Sequence, residues 1–227
     1  MLHSFRPTVY ATLLACGAAA GLAAQADPDR SVAGGGTLPP GWHARTDGNR
    51  PLTNVKFDSM SVGHHVNLGP ASIFWRDADN ATGSYTAEAK FWQFSSDTHR
   101  DHHEGYGLLI GGSTLAAAGQ RYTYFLIRED GMFLVKRRLG DSTWAVTKGW
   151  TASDAVAKRD SGGSVETTKP LENTLTIRVT PTDATFLVNG KIVYKANASD
   201  VDDSGIVGFR VNHNLNVHLG ALEITKQ

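Results

Sequence analysis

The run RYTYFLIREDGMFLVKRR, Arg121–Arg138, holds two apolar-rich segments joined across Asp130-Gly131. A glycine at that point supplies the positive φ a tight hairpin turn needs. The flanking residues alternate in character with a period of two, so the run predicts two antiparallel strands. TFLVNGKIVY repeats the device at Asn189-Gly190, the strongest short hairpin signal a sequence carries.

The same period extends along the chain from Val55 onward. SYTAEAKFWQF sends Tyr85, Ala87, Ala89 and Phe91 to one face and Thr86, Glu88, Lys90 and Trp92 to the other. NTLTIRVT alternates Leu175, Ile177 and Val179 with polar neighbours, and GIVGFRVNHNLNVHLGALEIT closes the chain with two more strands. From Glu104 onward Tyr106, Leu108 and Ile110 share the core-facing side, while His103, Gly105, Gly107 and Leu109 share the other. Only Thr151–Lys158, with Ser153 as an N-cap, offers a turn or two of helix. Ten to thirteen short strands with tight turns and almost no helix specify an all-β, antiparallel two-sheet sandwich.

The first residues read as a targeting segment. A basic start, Met1–Arg6, leads into the Ala- and Leu-rich run Thr8–Ala24 and the small-x-small site Ala24-Gln25-Ala26, followed by Asp27-Pro28-Asp29-Arg30. We expect a signal peptide over 1–26, a Gly/Pro-rich linker or loose arm over 27–41, and one domain over 42–227. The expected location is secreted or periplasmic, with lipoprotein anchoring through Cys16 of Leu13-Leu14-Ala15-Cys16 as the competing reading. No membrane span is expected after cleavage. Cleavage removes the single cysteine, so a mature chain of about 200 residues must rely on a large apolar core rather than on disulfides. With 22 basic and 22 acidic residues the chain has no basic stripe, which argues against a nucleic-acid partner.

The C-terminal strands carry a resemblance. FLVNGKIVY (Phe186–Tyr194), DSGIVGFRV (Asp203–Val211) and NVHLGALEIT (Asn216–Thr225) resemble the concanavalin A-like lectin/glucanase jelly roll. They are similar to the laminin-G-like and 3-keto-disaccharide hydrolase-like domains built on it. HHEGYGLLIGG (His102–Gly112) through YFLIREDGMFLVKRRLG (Tyr124–Gly140) extends the likeness to secreted proteins of the same group. The resemblance implies the jelly-roll fold and a saccharide partner, and leaves activity open because this sandwich hosts both binding and hydrolysis. Family 16 glucanases on this fold place their carboxylates as Glu-x-Asp-x-x-Glu on one strand. None of Glu88, Glu104, Glu129, Glu166, Glu172 and Glu223 has that neighbourhood.

The candidate site residues follow from the polar faces. In RVNHNLNVH, Arg210, Asn212 and His218 alternate with apolar neighbours. A turn near His213-Asn214 would set two adjacent strands with Arg, Asn and His on one sheet face. Such a face pairs sugar hydroxyls, and an aromatic ring stacks on the sugar's apolar side. Trp92 is the first aromatic candidate, then Tyr122 and Tyr124, with Arg128 beside them. The expected ligand face therefore carries Glu88, Trp92, Tyr124, Arg128, Arg210, Asn212 and His218, with His103 and Glu104 at its rim. The leading function is a carbohydrate-binding or carbohydrate-associated module.

One alternative is a hydrolase or lyase using Glu88 with Glu104, or His103 with His218, as proton carriers. Another is a structural or adhesive domain that binds protein. His99, His102 and His103 could ligate zinc, and Asp200, Asp202 and Asp203 of DVDDSG could hold calcium, as could DADNATG (Asp77–Gly83). The same residues are also ordinary polar loop chemistry. No cofactor is assigned. Trp144 and Trp150, six apart, are expected in the core on one strand face.

Overall fold

The computed structural model describes residues 28–94, 103–159 and 169–227. In chain order its strands begin with β1 (His43–Thr46), β2 (Val55–Ser59), β3 (His64–Leu68), β4 (Ser72–Ala81), β5 (Tyr85–Gln93), β6 (Tyr106–Ser113), β7 (Arg121–Ile127) and β8 (Met132–Leu139). They continue with β9 (Ser142–Ala145), β10 (Thr151–Ala152), β11 (Leu171–Val179), β12 (Asp183–Val188), β13 (Lys191–Asn197), β14 (Gly205–Val211), β15 (Asn216–Leu219) and β16 (Glu223–Lys226).

Two antiparallel sheets result. The first runs β1-β4-β14-β6-β7-β8-β10, with β9 also on β8. The second runs β13-β12-β11-β5-β15-β3-β2, with β16 also on β5. β15 and β16 lie end to end along one edge of β5, and the Gly220 amide between them donates to the Lys90 carbonyl at 2.7 Å. The chain closes with three strands, not two, because the break at Gly220 divides the last segment.

Alternation does what the sequence asks of it. Tyr85, Ala87, Ala89 and Phe91 enter one core with Tyr106, Leu108, Ile110, Phe125, Ile127, Leu175, Ile177, Val179, Val207, Phe209 and Val211. Asn189 and Gly190 take φ of 50° and 79°, the paired positive values of a tight hairpin turn, and Gly131 takes 86°. The sandwich also has a second apolar cluster on the outer side of the first sheet. Ile73, Trp75, Leu109, Tyr122, Tyr124 and Leu126 are the residues between the core-facing ones, and Leu115 from the β6–β7 connection covers them.

Three expectations need correction. Thr151–Lys158 contains no helix: β10 gives way to a turn in which the Val156 amide donates to the Ser153 carbonyl. Trp144 and Trp150 do not share a strand, because β9 ends at Ala145 and Thr147 turns its hydroxyl onto the Gly149 carbonyl. Trp144 is 52% exposed rather than in the core. The tract expected as a loose arm lies against the domain from Pro28 onward. Arg30 donates to the carbonyls of Leu68 and Leu215, Val32 is buried, and the Gly36 amide donates to Val55.

The parity of β5 is directly testable. Phe91 is fully buried, with rings of Tyr106 and Phe209 within 6 Å, so Phe91→Ala should cost about 3–5 kcal/mol in urea unfolding. Trp92→Ala, one residue on and facing outward, should cost far less. Equal losses would mean the strand's two faces are not divided as described.

Candidate functional site

Arg210 stands on the outward row of β14, flanked in register by Ile73 on β4 and Gly107 on β6. Its guanidinium grips Asp47 with both terminal nitrogens, at 2.8 and 2.6 Å. Asp47 comes from the loop after β1, where its amide is tied to the Ala71 carbonyl at 2.8 Å. Arg138, outward on β8, reaches the same carboxylate at 2.7 Å. Both arginines are buried, at 6% and 7% exposure, and the ring of Tyr124 lies 5.8 Å from the Arg210 guanidinium carbon.

The chain of contacts continues in the other direction. Arg210 Nε donates to Asn212 Oδ1 at 3.1 Å, and Asn212 Nδ2 donates to Glu104 Oε2 at 2.9 Å. Glu104 Oε1 meets His213 Nε2 at 2.8 Å, and His213 Nδ1 faces Asp29 at 3.5 Å. A continuous line therefore crosses the outer face of the first sheet from Asp29 through His213, Glu104, Asn212, Arg210 and Asp47 to Arg138. Burial alone would push the Asp47 carboxyl up, but its ion pairs and hydrogen bonds with Arg210 and Arg138 prevail and hold it below the usual range. Burial disfavours the charge on Arg210, while Tyr122, Asp47 and Tyr124 together keep it firmly cationic. Burial likewise pushes the Tyr124 phenol up.

An aromatic wall stands beside this line. A side chain at Gly105 would bring its Cβ to 2.6 Å from the tip of the Trp150 ring, so the glycine leaves the indole the space it occupies. Arg128 stacks on Trp150 at 4.4 Å from the ring centre and is itself held by Asp130. Trp150 remains partly exposed.

The single ligand face expected from the sequence is two faces. The turn at His213-Asn214, with Asn214 at φ 57°, is an arch that carries the chain from β14 in the first sheet to β15 in the second. Tyr124, Arg128, Arg210, Asn212 and Glu104 share the outer side of the first sheet. Glu88, Trp92 and His218 lie on the outer side of the second. There Glu88 accepts from Thr176 Oγ1 at 2.6 Å, and Trp92 Nε1 donates to Glu172 at 2.8 Å. Lys90 sits 5.1 Å from the Trp92 ring centre, and His218 meets the indole edge-on at 5.1 Å.

Glu88 and Glu104 belong to different sheets, so the carboxylate pair of the hydrolase reading is not assembled. His103 faces Glu129, at 3.4 Å, which Arg159 and Gln93 also hold. His99 and His102 lie outside the described residues. In the Asp loop, Asp202 carries both Arg121 and Arg137, Asp200 accepts from Asn197, and Asp203 accepts from Ser204. Asp202 and Asp203 line a pocket of about 310 Å³ with Gly111, Ser113 and Arg121. Among the described residues no three His, Cys, Asp or Glu side chains gather as a metal cage. None of their helices is long and apolar enough to cross a membrane. Sequence reasoning missed Asp29, Asp47, Arg138 and His213, and gave Trp150 to the core.

No protein-family model matches the chain, and no curated protein matches it in sequence. Solved structures match it by backbone. The carbohydrate-binding module CBM66 from Bacillus subtilis aligns with a TM-score of 0.56 at 10% identity, over 82% of this chain and 96% of that one. A protein of unknown function with a galectin-like fold, also from Bacillus subtilis, aligns at 0.51 and 8% identity, over 82% and 89%. The exoplasmic/lumenal domain of VIP36, in its calcium- and mannose-bound form, aligns at 0.50 and 10% identity, over 83% and 84%. The chain has the jelly-roll β-sandwich fold that these structures share. Identities this low speak to fold alone.

The Asp47 junction makes a prediction. Asp47→Asn leaves two buried guanidiniums sharing a neutral amide and should cost on the order of 3 kcal/mol. Since the folded carboxyl titrates below its usual 3.8, its stabilisation is complete above that value and fades as the pH falls through the lower folded one. Urea unfolding between pH 7 and pH 2.5 should therefore show the two proteins converging in acid. A gap that stays constant down to the lowest pH would mean the junction contributes nothing through its charge.

Proposed function

We propose that this chain is a carbohydrate-binding β-sandwich module whose ligand lies on the outer face of the first sheet, across Asn212, Glu104 and Asp47 and against Trp150. The observation that carries this reading is the hydrogen-bonded line from His213 to Arg138 running beside the Tyr124 and Trp150 rings. A sugar needs planar amide, carboxylate and guanidinium groups at fixed spacing to pair its hydroxyls, and an aromatic face for its C–H side. Here each polar group is held by the next, so little side-chain freedom remains to be lost on binding. Recognition is by stacking and paired hydrogen bonds, without a covalent step. The fold-level relatives lend support: one is itself named a carbohydrate-binding module, and VIP36 was captured with mannose.

The Ala- and Leu-rich start and the small-x-small site at Ala24–Ala26 support export of the chain to the periplasm or the outside, where glycans are met. The second sheet's outer face is the lesser candidate for sugar. Trp92 has Lys90 beside its ring, His218 at its edge and Glu172 on its nitrogen, as Trp150 has Arg128 on its own, so the preference for the first sheet rests on the polar line beside Trp150 and not on the freedom of the ring.

Affinity electrophoresis of the mature chain through gels containing a panel of soluble polysaccharides tests the assignment. At least one polysaccharide should retard it. Trp150→Ala should weaken that retention by at least about tenfold, the equivalent of one lost stacking contact. Trp92→Ala should leave it unchanged, with thermal melts showing both variants folded. Retention lost with Trp92 but not with Trp150 would move the site to the second sheet, and no retention on any polysaccharide would remove the carbohydrate reading.

A further inference from the structure

One cross-strand row on the outer face of the second sheet reads Asp58, His65, His218, Trp92, from β2, β3, β15 and β5, each residue directly opposite the next. Two histidines in direct register bring their Cβ atoms to about 5 Å. Their ring centres are 6.3 Å apart here, inclined at 38°. Protonated, such a pair is a like-charge clash across the ladder, which destabilises a sheet. Nothing in the fold requires imidazole at both positions, since neither ring enters the core.

The surroundings favour an ion. An imidazole nitrogen binds zinc or a similar ion at about 2.0–2.1 Å, so each ring centre stands about 3.2 Å from the metal and two rings sharing one ion lie up to about 6.4 Å apart. The observed 6.3 Å fits a nearly linear pair; a tetrahedral angle at the ion brings the ring centres to about 5.2 Å, a shift of about 1 Å that side-chain rotation must supply. Asn216, two residues before His218 on the same face, lies against the His65 ring. Its buried Oδ1 faces the His65 ring as an acceptor, in a contact too poorly aligned to make a full hydrogen bond. Trp92, 5.1 Å from His218, and Phe94, 5.4 Å from His65, flank the pair with apolar surface. Asp58, opposite His65, is paired with Lys56 and remains half-exposed.

We propose that His65 and His218, with the Asn216 amide oxygen, bind one divalent transition-metal ion of the copper, nickel or zinc class. Two imidazoles and an oxygen suit these ions rather than calcium or magnesium. The remaining coordination positions open outward to water or to an external donor. This site lies on the sheet opposite to the proposed glycan face and does not depend on that reading.

The experiment uses Cu²⁺ alone, titrated into chelator-stripped mature protein while tryptophan emission is followed. One equivalent should bind and quench a fraction of the emission that is missing in Trp92→Phe, because His218 touches that indole. His65→Gln and His218→Gln should each raise the Kd by at least about tenfold. Melts in chelator should show both variants folded. Selective Cu²⁺ broadening of the His65 and His218 ring-proton signals reads the same site in the unsubstituted protein, so a variant that fails to fold does not block the test. Unchanged affinity in both variants, or no broadening of these two rings, overturns the proposal. So does binding that disappears only when His99, His102 and His103 are replaced together.

Discussion

Each strand held between two sheets must send alternate side chains into a space that has no room for water, and that parity fixes where every other side chain goes. Phe91 in the core obliges Lys90 and Trp92 to face outward, and Phe209 does the same for Arg210 and Gly208. The two outer faces then diverge in character. The first sheet turns Ile73, Trp75, Leu109, Tyr122 and Tyr124 outward, far too much apolar surface to leave wet. Loops therefore fold over it, with Leu115 pressed on the aliphatic part and Asp47 on the arginines. The second sheet turns out Thr174, Thr176, Lys90, Glu172 and the histidines, and its outer face needs no cover.

Asp47 is what makes the covered face work. Two buried guanidiniums side by side would repel each other and lose hydration that the protein must replace. One carboxylate, taking three hydrogen bonds from the two arginines, supplies the opposite charge and fixes both planes at once. Arg210, once held at its tip, can give only its Nε to Asn212. That choice orients the Asn212 amide, whose nitrogen then points at Glu104. The direction of each donor along the line is thus set by the one before it.

The period of two, the Asp130-Gly131 and Asn189-Gly190 turns and the core faces of β5, β6 and β11 were legible in the chain because each is decided by neighbours within a few residues. The outward parity of Tyr124 and Arg210 could be read the same way, whereas Glu104 and Asn212 lie just beyond the strand ends, where alternation no longer decides which way a side chain faces. What could not be read is which sheet a strand joins. A residue at positive φ such as Asn214 serves equally in a hairpin and in an arch between sheets, and only partners far along the chain distinguish them. Asp47 lay hidden for the same reason, standing 163 residues from Arg210 in a stretch, Asp47-Gly48-Asn49, that reads as any turn. Trp150 was misplaced because the count from Trp144 assumed a regular strand, which Thr147 and Gly149 interrupt.

The arch has a consequence for how the two outer faces relate. Within RVNHNLNVH, Arg210 and Asn212 serve one face while Asn216 and His218 serve the other, so a displacement on one side has a covalent route to its opposite. That route is pinned. The Asn212 amide donates to Gly105 and the Asn214 amide to Gly69, tying the arch to the strand ends of both sheets. From outside, the Asn214 side chain accepts from the Arg30 amide and donates to the Pro28 carbonyl, while Asp29 faces His213. The Gly/Pro tract that reads as a linker is therefore the clasp on the arch. The backbone between Asn212 and Asn216 is thereby held on three sides. The fold thus presents two separate surfaces, joined by a turn that is tied to both sheets and to the tract before β1.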